Sequence, residues 1–226
     1  MLHRGTLRGM CTVVLRVPEP GRGDVRILAL RDEDPDRPWR PLGAWWPERP
    51  GVRGVLDELA GGAWLAHDDR RLAVLLNRAG GSTAAVPASR GSLVLDSVAG
   101  RPLPDPLTTL GFNLVAVDAT SVVVTSWESG QPRRVTLTPG THMIAHDDVD
   151  DPHTARVAAW LDAFAATPTE GDTWWEGGST CSRPPPRSAT STTGRSCGTT
   201  ARTGSRRRPC WCASRASVQT AQPPRW

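Results

Sequence analysis

The sequence predicts an α+β domain, on three observations. Six short apolar runs rich in β-branched residues are each bounded by Gly, Pro, Asp or Asn. Short connections join some of these runs as antiparallel hairpins. Beside them stand two helical patterns, without the strand–helix alternation that builds a parallel sheet.

In chain order, the strand-like runs are Thr12–Val17, Val25–Leu30, Ala63–His67, Leu72–Asn77, Asn113–Asp118 and Ser121–Ser126. The turn Pro18-Glu19-Pro20-Gly21 makes a hairpin of the first two, and Ala119-Thr120 makes one of the last two. Residues 31–54 are proline-rich and carry Trp39, Trp45 and Trp46, which reads as an irregular loop. Ser89 is placed to cap a helix at Gly91–Val98, with Leu93, Val94 and Val98 as its apolar face. A second helix is expected from Asp151-Pro152, an N-cap followed by Pro at the first helical position. There Val157, Trp160, Leu161 and Phe164 fall at i, i+3, i+4 and i+7, one buried stripe. His142, His146 and His153 lie among Asp147, Asp148, Asp150 and Asp151, a stretch that reads as an exposed loop.

The formal charge of +4 conceals two unlike segments. Residues 1–176 hold 18 arginines against 23 acidic residues, whereas residues 177–226 hold nine arginines and no acid. Val218 is the sole Val, Ile, Leu, Met or Phe of that tail, so nothing opposes the entropy of ordering it. The tail is expected to be disordered, and its Arg, Pro, Ser, Thr, Cys and Trp mixture is what GC-rich coding sequence yields out of frame. Two other readings exist. Arg206-Arg207-Arg208 with Trp211 and Trp226 could bind nucleic acid. Cys181, Cys197, Cys210 and Cys212 could hold zinc, but they lack paired C-x₂₋₄-C spacing. No apolar run approaches the roughly 18 residues of a membrane span, and no signal-type stretch opens the chain. A cytoplasmic protein is the default expectation. The body carries no GxGxxG, P-loop or G-x-S-x-G motif and no metal-ligand spacing, so neither cofactor nor metal is expected.

The residues that could carry chemistry begin with Met10-Cys11-Thr12 and, at the end of the second run, Leu30-Arg31-Asp32-Glu33. Further on stand Ala44-Trp45-Trp46-Pro47, Ala60-Gly61-Gly62-Ala63-Trp64, Leu76-Asn77-Arg78, Ser89-Arg90-Gly91 and Gly111-Phe112-Asn113-Leu114. In this order the motifs resemble the NRDE family, also named for transport and Golgi organisation protein 2, over roughly residues 10–165. The resemblance implies a four-layer αββα sandwich like the N-terminal nucleophile hydrolases, C-terminally incomplete if the tail is out of frame. Residues 10–176 would form it, and residues 1–9 would be an upstream extension.

That likeness implies a cysteine nucleophile acting on a nonpeptide C–N amide through a thioester. Cys11 takes the nucleophile position, Arg31 and Asp32 the orienting charge pair, and Asn77 the oxyanion donor. Asn113 and Glu33 stand as substrate-contacting positions, Asn113 also as a weaker oxyanion candidate. An α-amine with pKa near 7.7–8.0 can serve as base on the same residue as the thiol. An adjacent Arg⁺ favours thiolate, and an Asn amide can donate to the oxyanion. Two departures stand out. Leu30 replaces the leading Asn, and Cys11 is preceded by ten residues, which would make its amine an amide; a start at Met10 followed by Met removal repairs this. The family usually has Ser-Asn-like residues near Ala145-His146.

Each position has a structural alternative. A lone Cys on an apolar strand is usually a small buried hydrophobe. Arg31, Asp32, Glu33, Asp34 and Asp36 also read as a solvated turn, and Asn77 as a strand end. Trp39, Trp45, Trp46 and Trp64 fit either core packing or an apolar ligand pocket. A second functional class is therefore carried alongside the hydrolase: a non-catalytic haem, lipid or other small-ligand binding or trafficking protein on the same fold. The expected partner is a small-molecule amide or apolar ligand; a nucleic-acid partner would rest on the tail alone.

Overall fold

The computed structural model describes residues 11–32, residues 36–167 and the strand at 212–217. The elements in chain order are β1 (Thr12–Val17), β2 (Arg26–Arg31), β3 (Trp39–Gly43), β4 (Arg53–Asp57), β5 (Ala63–His67) and β6 (Leu72–Gly81). Then follow α1 (Gly91–Val98), β7 (Leu110–Val117), β8 (Val122–Trp127), β9 (Arg133–Thr136), β10 (Gly140–Ile144), α2 (Ala155–Ala166) and β11 (Cys212–Ser217). The fold class is α+β, with antiparallel sheets and few helices. No helix among the described residues is long and apolar enough to cross a membrane.

Two sheets form. A four-stranded sheet has the order β10-β1-β2-β11, and a seven-stranded meander runs β3 to β9 in sequence. Period-two alternation along the strands sorts their side chains into three apolar clusters. Val13 and Leu15 of β1, Ala29 of β2 and Ile144 of β10 meet Leu65, Val74, Leu76, Val115 and Val124 between the sheets. The intervening residues Val14, Leu28 and Met143 face outward and receive Val157 and Phe164 of α2. On the far side, Ala73, Leu75, Phe112 and Leu114 receive Leu93, Val94 and Val98 of α1. The layers therefore run helix, sheet, sheet, helix.

The expected strands and hairpins lie where the apolar alternation put them, within a few residues at their ends. Four differences have physical causes. Residues 31–54 are not wholly irregular: β3 lies at the edge of the meander, where Pro41 need not donate to a ladder. Its residues are largely exposed, so it carries no apolar period to read. The same holds for β9, which forms the other edge with all four residues exposed.

The stretch expected as an exposed acidic loop begins within β10, whose Met143 and Ile144 are buried. His142 of that strand places Nδ1 2.6 Å from Asp150 Oδ2. Helix α2 begins later than Asp151-Pro152. Asp151 instead closes a separate turn, its Oδ1 accepting from His153 N and its carbonyl from Thr154 N. Thr154 is the N-cap position, but its hydroxyl donates to Asp147 Oδ2 at 2.6 Å rather than capping.

Within the basic tail, Cys212–Ser217 pairs antiparallel with β2, Cys212 opposite Arg31 and Ser217 opposite Arg26. The rest of 177–226, with its expected disorder and its reading-frame assignment, lies outside the described residues, as do residues 1–9.

Candidate active site

The β1–β2 hairpin decides what meets at one end of the sandwich. Thr12 pairs with Leu30, so Cys11, immediately before β1, and Arg31, the last residue of β2, come to the same edge. A cleft of about 470 Å³ opens there. Its walls include Arg31 from the first sheet and Cys11 just before it, Asp57, Trp64 and Asn77 from the second sheet, Arg37 and Arg90 from the connections, and Gly91 at the start of α1. Cys11 is only 9% exposed, so its thiol sits at the margin between the apolar interior and the cleft. Asn77 is exposed, at the point where β6 leaves the core.

Asp57 organises the cationic side of this cleft. Arg37 donates from both Nε (2.9 Å) and Nη2 (2.7 Å) to its Oδ2, and Arg31 Nη2 lies 3.6 Å from the same oxygen. Oδ1 accepts from the backbone N–H of Leu59 and Ala60, closing the turn after β4. Burial disfavours the Asp57 carboxylate, but these hydrogen bonds and the two guanidinium charges outweigh it and hold the pKa below the ordinary 3.8. Arg31 also lies over Trp64, its guanidinium carbon 5.9 Å from a ring centroid, a cation–π contact.

Backbone contact fixes the opposite wall. A Cβ on Gly62 would lie 2.6 Å from Gly91 Cα, and a Cβ on Gly91 would lie 2.8 Å from Gly62 Cα. Only two glycines allow the start of α1 to approach β5 so closely. Arg90, at the N-cap position, donates from Nη1 to Gly111 O at 3.0 Å. Ser89, expected as the cap, accepts from Gly91 N at 3.3 Å one position earlier.

Of the residues singled out from sequence, Cys11, Arg31 and Asn77 thus share one cleft. Asp32 does not line it. Neighbours on a strand face opposite ways, and Asp32 Oδ2 accepts from Arg156 Nη2 of α2 at 3.2 Å. Arg156 Nη1 also donates to Thr12 Oγ1 at 2.7 Å, so one guanidinium ties together the residues following Cys11 and Arg31. Asn113 is fully buried away from the cleft lining. Its Nδ2 donates to Asp147 O at 2.7 Å and Ala145 O at 3.4 Å, pinning the segment after β10. In that segment His146 Nε2 lies 3.1 Å from Asp147 Oδ2. Glu33 lies outside the described residues.

Sequence reasoning missed Arg37, Asp57 and Arg156. Arg37 is hidden in an acidic run, and Asp57 fell in no motif and no expected element. Arg156 sits on a helix read for its apolar stripe alone. Arg90 belonged to a quoted motif, with no chemistry attached to it.

No curated protein matches the chain. A family model described as Transport and Golgi organisation 2 matches residues 10–173, which include both sheets up to β10, both helices and every described residue of the cleft.

Proposed function

Because the chain belongs to the Transport and Golgi organisation 2 family, we propose that its cleft is the active site of an N-terminal-nucleophile-type hydrolase that cleaves a nonpeptide C–N amide through a thioester on Cys11. The observation that carries this reading is the meeting of Cys11, Arg31 and Asn77 around one cleft. The helix–sheet–sheet–helix layering is compatible with that class of fold.

The steps use groups already in place. The Cys11 α-amine, once exposed by a start at Met10 and Met removal, takes the thiol proton. The beginning of the family match at residue 10 supports that start. Arg31 lowers the cost of thiolate at the edge of an apolar interior. The sulfur attacks the amide carbon, a C–S bond forms, and the carbonyl oxygen becomes an oxyanion. Asn77 is the side-chain donor for that charge. Collapse breaks the C–N bond, and the amine leaves with the proton held on the α-ammonium. Water then attacks the thioester, releasing the acid and restoring the thiol. Asp57 holds Arg31 and Arg37, while Asp32 acts through Arg156; both are positioning residues.

A second reading has its own support. Trp64, Leu75 and Leu110 give the cleft apolar wall suited to holding a small ligand without turnover. Single-turnover assays with a fluorogenic amide distinguish the two. A hydrolase releases amine in a burst stoichiometric with enzyme and loses it in Cys11→Ala. Ligand binding unchanged in Cys11→Ala, with no amine released by the wild type, would replace the hydrolase with a carrier.

A further inference from the structure

His142 has both ring nitrogens committed to acceptors. Nδ1 lies 2.6 Å from Asp150 Oδ2, and Nε2 lies 2.9 Å from Thr138 O, in the turn between β9 and β10. A carboxylate and a carbonyl only accept, and a neutral imidazole has one N–H to give. Both contacts are hydrogen bonds only when the ring carries a proton on each nitrogen. Asp150 is itself built onto the edge of β10 that faces away from β1. Its Oδ1 accepts from Met143 N at 2.7 Å, and its own N donates to Met143 O at 2.9 Å. It does so at φ 56°, the one positive φ of a non-glycine among the described residues, a conformation that its surroundings must hold. Leu15 of β1 stands opposite His142, and Val117, Val122 and Leu137 meet the same layer from the meander side, all apolar. Of the charged neighbours, Arg16 donates to Phe164 O and Thr167 O, Asp148 pairs with Arg133 and Arg78, and His146 lies by Asp147. Asp150 is the carboxylate that meets the ring.

We propose that His142 is a proton-dependent clasp: with both nitrogens protonated it fastens Asp150 to the β9–β10 turn, and with one proton lost it releases one of the two. The segment it holds also carries Asp147, whose carbonyl takes Asn113 Nδ2 and whose carboxylate takes Thr154 at the N-cap position of α2. The clasp therefore ties the start of α2 to the first sheet. A neutral ring sets a nitrogen lone pair against an oxygen, so the hold is full while the ring is protonated and weakens as pH rises through its titration. The clasp needs no chemistry at Cys11 and is independent of the hydrolase reading.

Long-range proton–nitrogen NMR of the full chain, titrated in pH, reads the ring nitrogens directly, with His142 assigned by its loss in His142→Gln. His142 is expected to keep a proton on both nitrogens at a pH where the exposed His153 ring has one bare nitrogen. Hydrogen exchange at the Met143 and Asp150 amides, corrected for its intrinsic pH dependence, should speed about tenfold as His142 titrates, as for a lost charge-assisted hydrogen bond. In Asp150→Asn, His142 should release its second proton together with His153. A wild-type His142 that titrates with His153, or that shows one bare nitrogen throughout, would overturn the clasp. Exchange at Met143 and Asp150 unchanged across the titration would overturn it too. If Asp150→Asn fails to fold, the wild-type titration and exchange decide.

Discussion

Arg37 holds Asp57 with both Nε and Nη2 on one carboxylate oxygen, at 2.9 and 2.7 Å, while the other oxygen closes the turn after β4 through the N–H groups of Leu59 and Ala60. One half-buried carboxylate thus couples a local turn, a loop arginine and Arg31 beside Cys11. Replacing it by Asn keeps the shape and removes the charge. Asp57→Asn is expected to lower stability by about 1–2 kcal/mol in urea unfolding. It should also slow Cys11 alkylation, because Arg31 loses its anchor.

Acid should reveal the same residue. Asp57, Asp118 and Asp148 all have pKa values below the ordinary 3.8. For Asp57 the arginine and backbone bonds outweigh burial. For Asp118, bonds from Thr120 and Ser121 outweigh burial. For Asp148 the hydrogen bond from Arg133 leads. With depressed folded-state values, the unfolded chain binds more protons in acid. Their contribution is full above the ordinary value and is lost as pH falls through it toward the folded one. Urea midpoints measured from about pH 5 to about pH 2 should therefore fall, and fall less steeply in Asp57→Asn.

Asn113 carries an architectural load rather than a place in the cleft lining. It is fully buried, and its Nδ2 satisfies the carbonyls of Asp147 and Ala145. Asn113→Leu fills the volume and orphans those carbonyls, at an expected cost of about 1–3 kcal/mol. The folded fraction should still alkylate at Cys11. Selective loss of alkylation at unchanged stability would instead make Asn113 a site residue.

The glycine pair makes a sharper steric case. Gly91→Ala puts a Cβ 2.8 Å from Gly62 Cα and 3.1 Å from Ala63 N, and backbone cannot step aside as a flexible side chain can. Ala favours helix, but by no more than about 1 kcal/mol, so the clash wins. A net loss of about 1–3 kcal/mol is expected. Thermal unfolding of the variant beside the wild type checks it.

Helix α2 is fastened chiefly by Val157 and Phe164 on Val14, Leu28 and Met143, with Trp160 and Leu161 packed beside them and Arg16 Nη2 donating to Phe164 O. Phe164→Ala should cost about 3 kcal/mol, seen as a lower urea midpoint. Loosening α2 also loosens Arg156, so reduced protection of the Thr12 and Asp32 amides in hydrogen exchange is expected to accompany it.

The parts of this fold legible in sequence have a buried face, although β4, short and with Gly54 for one of its two buried residues, was not read. Val13, Val14 and Leu15 read as strand because both faces of β1 are covered, and the Val157–Phe164 stripe read as helix because one face is. Edge strands β3 and β9 bury little and leave no period, which is why Pro41 and Arg133-Arg134 gave no strand signal. Met10-Cys11-Thr12 and the ordered motifs after it pointed to the family that the match over residues 10–173 shows. Arg31 opposite Cys11 was legible because a hairpin joins their strands. Asp57, Arg37 and Arg156 were not, because their partners lie far along the chain or on another layer, and no local pattern records such pairings.

The most direct test of the central claim, that Cys11 is an acyl acceptor with its own amine as base, is intact-mass spectrometry with peptide mapping of protein quenched during turnover of an activated amide. The expected result is a chain beginning at Cys11 that carries one acyl group, labile to hydroxylamine and mapped to the Cys11 peptide. A chain that retains the residues before Cys11, or a Cys11 peptide that never acquires the acyl mass while amine is released, would contradict it.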